Sequence, residues 1–201
     1  MADRVSGRLS RSRILQAASR VFADKGARQT TVEDILQAAD VSRRTFYQHF
    51  RNKDEVLAAL YQVACELVVE ALTAAASSAK KPMKRLEGCV DAYLAFNRTD
   101  GELMRVLEAE ALRPDSLLEP MRARLLDRLT ELVSGIVPRR RPDPLVVHGV
   151  LLALEGISQR AHADGVVAGP RLTRARRAML RILLATLAGK GDAVPQLPTV
   201  I

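Results

Sequence analysis

The sequence predicts an all-α fold, and three observations carry that reading. Apolar residues recur at helical period in almost every segment, strand-type alternation is absent, and β-branched residues dominate no window. The 201 residues suffice for one sizeable core, or for a small domain joined to a larger one.

Taken in order, residues 11–25 place Ile14, Leu15, Ala18, Val21 and Phe22 on one face, and Gly26 is the stop. Residues 32–39 repeat the pattern with Val32, Ile35, Leu36 and Ala39. Either Thr30 with Glu33 or Thr31 with Asp34 has the spacing of a capping box at its start. A short helix over 42–50 follows, capped by Ser42, with Val41 and Phe46 spaced as a hydrophobic staple. Asn52 caps a long helix whose Val56, Leu60, Val63, Leu67 and Leu72 keep period to Ser77, before Lys80-Lys81-Pro82. Further helices are expected over 83–97, over 102–135 with a break near Pro114 and Pro120, over 145–163 and over 171–188. Residues 138–144 read as a basic turn-rich linker.

The two short helices are joined only by Asp40-Val41, which is the helix-turn-helix arrangement. A second helix of this kind lies in the major groove when its inner face is apolar and its outer face carries donors. Phe46 and Phe50 supply the first, and Arg43, Arg44, Thr45, Tyr47, Gln48 and His49 the second. Charge agrees: the chain carries a net +8, and residues 1–55 hold 11 Lys/Arg against 7 Asp/Glu, including a basic lead-in of Arg4, Arg8, Arg11 and Arg13. Aromatic residues are only 3%, which argues against a single-strand binder that stacks bases on rings.

Through RILQAASRVFADKG (13–26), TTVEDILQAADVS (30–42) and TFYQHFRNKDEVL (45–57), the sequence resembles the TetR family of bacterial regulators. The resemblance covers about a quarter of the chain. It implies a three-helix DNA-binding domain over 1–53, a ligand-sensing and dimerising helical domain over 54–190, and a tail over 191–201. Thr30 or Thr31, Tyr47, His49 and Lys53 are then expected at phosphates of a double-stranded operator, with Ser42 at the head of the reading helix. Arg43, Arg44 and Thr45 fall at base-reading or base-adjacent positions, with Gln48 on the same face. The family usually has Gly in the turn where this chain has Asp40, a residue that tolerates left-handed backbone better than most.

The same resemblance implies a homodimeric, ligand-responsive repressor. Gly149, Ala153, Gly156 and Ala163 make a smooth strip that would suit a dimer seam. His148, Glu155 and His162 recur every seven residues, about 10.5 Å apart along a helix, too far for neighbours to share one ion. An inducer pocket is expected among Tyr61, Cys65, Tyr93 and Phe96, together with Met104, Glu108, Met121 and Leu125, and its apolar lining suits a hydrophobic small molecule. Catalysis, cofactors and a resident metal are not expected: there is no Gly-rich phosphate loop, no His pair at i and i+4, and no nucleophile elbow. The first residues contain no apolar run, and the uncharged stretch from Leu145 to Leu154 is too short to span a bilayer, so a cytoplasmic protein with reduced Cys65 and Cys89 is expected. The alternative is an all-helical small-molecule-binding protein whose DNA binding is secondary or lost.

Overall fold

A computed structural model describes residues 2–99, 101–137, 142–162 and 169–187; Ala163, most of the 138–144 linker and the 191–201 tail lie outside them. Among the described residues the chain is helical: α1 (Ala2–Gln29), α2 (Val32–Ala39), α3 (Arg43–Tyr47), α4 (Lys53–Ser77), α5 (Pro82–Thr99), α6 (Gly101–Ala111), α7 (Glu119–Ile136), α8 (Pro144–His162) and α9 (Pro170–Leu187). Gly26, at φ 76° and ψ 165°, interrupts α1 near its end, a backbone that favours glycine. Pro82, Pro144 and Pro170 each open a helix, where a missing N–H costs nothing.

Contacts divide the chain into two units. One is Met1–Glu66 with Glu102–Arg122, the other Leu67–Gly101 with Ala123–Ile201. This differs from the expected boundary at residue 53. The first turns of α4 belong with α1, because the Lys53 side chain is bonded to carbonyls in the last turn of α1 and Val56 is fully buried.

In the first unit, Ile14, Ala18 and Phe22 of α1, Ile35 of α2, Phe46 of α3 and Val56 of α4 are fully buried. In the second, one apolar cluster gathers residues of α4, α5, α7, α8 and α9, with Leu86, Ile136, Val147 and Met179 at its centre. The buried stripe of α4 is Val56, Leu60, Ala64, Val68, Leu72 and Ala76. Val63 and Leu67, expected on it, are 44% and 50% exposed, because a buried stripe spaced every four residues winds about 40° per step on a helix of 3.6 residues per turn and leaves them behind. With the few charges it carries, α4 is long and apolar enough to cross a membrane by length and composition, a case that a search for uncharged runs overlooks. Both cysteines are free thiols; Cys89 donates to the Leu72 carbonyl and burial pushes its pKa up, so it stays protonated.

Candidate nucleic-acid interface

The turn between α2 and α3 comes first, because it aims everything after it. Thr31, extended at φ −111°, takes the capping role, and its hydroxyl accepts from the Asp34 N–H at 3.2 Å. Asp34 reaches back to the Thr31 N–H at 2.9 Å, completing the box. Its other oxygen takes Lys25 Nζ at 2.7 Å. The Lys25 ammonium, then the Thr31 N–H and hydroxyl, lower the Asp34 pKa to about 2. At the far end Asp40 sits in the left-handed region at φ 50°, ψ 54°, so the glycine-free turn closes as expected. Arg13 donates to the Ala39 carbonyl at 3.1 Å and to the Asp40 carbonyl at 3.3 Å, placing a cation where α2 leaves carbonyls unpaired.

Helix α3 is shorter than the expected 42–50. Ser42 Oγ accepts from the Thr45 N–H at 3.1 Å and starts it. It ends at Tyr47 because the His49 N–H turns to the Phe46 carbonyl three residues back, at 2.9 Å, which tightens the last turn. Phe46 anchors the helix in the core, edge-on to Tyr47 and tilted against Phe50. Gln48, His49 and Phe50 therefore lie in the turn after α3.

The outward face holds Arg43, Arg44, Tyr47 and Gln48, all exposed, with Thr45 and His49 half-buried beside them. Among the described residues the Arg44 guanidinium has no ionic partner, whereas Arg43 is paired with Glu33 of α2. Both partners of that pair are well exposed, so it is worth about 0–1 kcal/mol and a stronger acceptor displaces it.

Two expected phosphate residues are corrected. Thr30 is 1% exposed and its hydroxyl donates to the Gly26 carbonyl at 2.8 Å, so it ends α1 and faces no solvent. Lys53 Nζ donates to the carbonyls of Ala27, Arg28 and Thr30 at 2.8, 3.0 and 2.7 Å. An ammonium has three hydrogens, and this geometry engages all of them. Lys53 thus ties the start of α4 to the end of α1. The same ties explain why a cation sits beside a helix N-terminus, where the dipole disfavours it. Asn52 caps α4 as expected, accepting from the Glu55 N–H at 2.9 Å, while Glu55 reaches back to the Arg51 N–H at 2.7 Å. The partners of Arg11, Arg13, Lys25 and Glu33, namely Phe50, the end of α2, Asp34 and Arg43, were not legible in the sequence, since no short-range pattern marks a partner many residues away.

The expected pocket residues do not fall in one unit. Tyr61 is buried and Cys65, Met104, Glu108 and Met121 half-buried in the first unit. Tyr93, Phe96 and Leu125 pack on the apolar cluster of the second. A cleft of about 240 Å³ in the first unit is lined instead by Asp54, Leu57, Glu110, Arg113, Asp115, Ser116, Leu117 and Leu118, a largely polar set. On α8, Gly149, Ala153 and Gly156 are exposed, together with Leu145 and Leu152.

Residues 14–60 match the family model "Bacterial regulatory proteins, tetR family". The HTH-type transcriptional regulator TcmR of Streptomyces glaucescens is 29% identical over 150 residues, 75% of this chain and 62% of that protein. The probable HTH-type transcriptional regulator ArpR of Pseudomonas putida is 31% identical over 159 residues, 78% of this chain and 69% of that protein. A crystal structure of a TetR-family transcriptional regulator from Streptomyces coelicolor superposes with a TM-score of 0.70 at 24% identity, covering 91% of this chain and 99% of that one. The chain spans 44% to 62% of the length of the first curated relatives it matches.

Proposed function

The chain belongs to the tetR family of bacterial regulatory proteins, and from that premise we propose that it is a sequence-specific, DNA-binding transcriptional regulator of the cytoplasm, not an enzyme. The observation that carries this reading is the outward face of α3. Ser42 and Phe46 fix the helix, and Arg44, Tyr47 and Gln48 project from it into solvent. In this reading Arg44 reads a base edge, and Arg43 joins it after leaving Glu33. Thr31, Tyr47 and His49 line the phosphates on either side and set register rather than sequence, while Thr45 stands beside the bases.

The protein acts as a homodimer on an inverted repeat, because two-fold protein symmetry is mirrored in the operator. Support comes from α8, where a Cβ added at Gly149 or Gly156 meets nothing within 4 Å, so a second helix has room to approach closely. A small molecule relieves repression. Helix α4 suits the transmission, since it carries Lys53 at its first turn and continues to Ser77 without a break. By linkage the ligand and the operator weaken each other by one factor, about 5–150-fold for a coupling of 1–3 kcal/mol.

A gel shift of the full chain on the DNA upstream of its own reading frame tests the first claim. Retardation that survives excess random duplex is the expected result, and retardation abolished by that competitor contradicts it. Reciprocal titration tests the second, and an inducer that binds equally well with and without operator removes it.

A further inference from the structure

Over Gly7–Arg13, α1 adds no buried side chain to the core. Ile14 is the first fully buried residue of the described side chains, yet the helix begins at Ala2. Over Gly7–Arg13 the side chains are exposed or half-buried, and Leu9 is 62% exposed. A surface helix that buries so little is held by something other than packing area.

Its sequence is basic in one register. Positions 4, 8 and 11, all arginine, fall within about 60° of one another on a helix of 3.6 residues per turn. That side of α1 runs past the end of the reading helix. The Arg11 guanidinium lies over the Phe50 ring, 5.2 Å from its centroid. A Cβ on Gly7 would stand 3.8 Å from His49 Cε1, an ordinary contact distance, so α1 passes beside the His49 ring there. Arg8 lies between these two contacts in sequence, is exposed, and has no ionic partner among the described residues. Arg13, by contrast, is held by the end of α2 and faces elsewhere.

We propose that Arg8 and its helical neighbours on α1 form a second, sequence-independent phosphate contact, extending the DNA interface beyond the reach of α3. The proposal rests on the DNA-binding reading above and deepens it. Positions 4 to 11 span about 10.5 Å, the rise of about three nucleotides on one strand. Arginine suits a phosphate because its planar fork donates two parallel bonds. A stripe aimed at phosphates and not at bases raises affinity for every duplex alike.

The test uses the full chain with two 30-bp duplexes, one carrying the site selected from a random pool and one scrambled, across a salt series. Arg8→Gln is expected to lower the log–log salt slope by about one unit per protomer, about two for the bound homodimer, and to weaken both duplexes about thirtyfold at 0.15 M salt. The ratio between the duplexes stays the same, and Arg8→Lys restores the slope. Thermal melting of the variants confirms that the exposed substitution leaves the fold intact. An unchanged slope overturns the proposal, as does a loss confined to the selected duplex. A wild-type protein that binds neither duplex overturns the regulator reading itself, and the two failures are thereby told apart.

Discussion

Helices α3 and α9 are held in opposite ways. Helix α9 buries Ala175, Met179, Leu180, Leu183, Leu184 and Leu187, so its place is fixed by apolar area spread over its whole length. Helix α3 buries Phe46 alone. Its place depends on a cap at Ser42, a left-handed Asp40, and the Arg13 cation of α1 that occupies the carbonyls of the turn before it. The difference teaches where function is adjustable. Losing one of six anchors leaves α9 seated, whereas the reading helix is aimed by single polar groups, each replaceable without unfolding the chain.

The largest expected effect breaks the comparison at its anchor. Phe46→Ala should cost about 3–5 kcal/mol in urea unfolding and remove DNA binding, because Phe46 is the one buried side chain of α3. Leu183→Ala should cost about 2–5 kcal/mol as well, yet leave DNA affinity of the folded protein within twofold. If both variants lose DNA binding equally, the two helices are not held differently.

Lys53→Met comes next. Charge-assisted hydrogen bonds contribute about 1.5–3 kcal/mol, and removing the ammonium leaves three carbonyls to find water, so a loss of about 2–3 kcal/mol is expected. The salt slope of DNA binding should not change. A slope lower by about one per protomer would put the ammonium on a phosphate after all.

Thr31→Ala should cost about 1 kcal/mol by removing the cap of α2. The partner Asp34 gives the head a pH signature. Its folded pKa of about 2 lies below the ordinary 3.8, so its contribution is fully present above about pH 4 and is lost as pH falls through about 2. Acid unfolding of Asp34→Asn should lack that segment of the curve. The smallest effect is Glu33→Gln, which frees Arg43. It should change stability by less than about 1 kcal/mol and tighten DNA binding by up to about fivefold at low salt.

The helices were legible in the sequence because caps and period are local. Thr31 with Asp34, Ser42, and Asn52 with Glu55 all act within four residues, and the structure chooses Thr31 over Thr30 because Thr30 is buried under the Gly26 carbonyl. The end of α3 was less legible, since a three-residue backbone bond from His49 decides it and no side chain signals that choice. The site was legible by residue type and illegible by occupancy. Lys53 looks like any cation beside DNA until partners 23–26 residues earlier are in place. Arg43 and Arg44 are neighbours of identical chemistry, and only the fold brings Glu33 to one of them. Likewise Val63 and Leu67 keep apolar period on α4 and still face solvent, because period alone does not state which of two adjacent stripes is covered.

The central claim is that the outward face of α3 reads bases, with Arg44 as its unpaired reader. Selection of bound duplexes from a random pool, run in parallel with wild-type protein and Arg44→Ala, tests it most directly. An Arg bidentate to guanine discriminates by about 1–3 kcal/mol. The account predicts an inverted repeat enriched by the wild type, and relaxed preference at one or two base pairs in each half-site for the variant, the remaining positions unchanged. A wild-type pool with no enriched repeat, or the same repeat read equally sharply by Arg44→Ala, would contradict it.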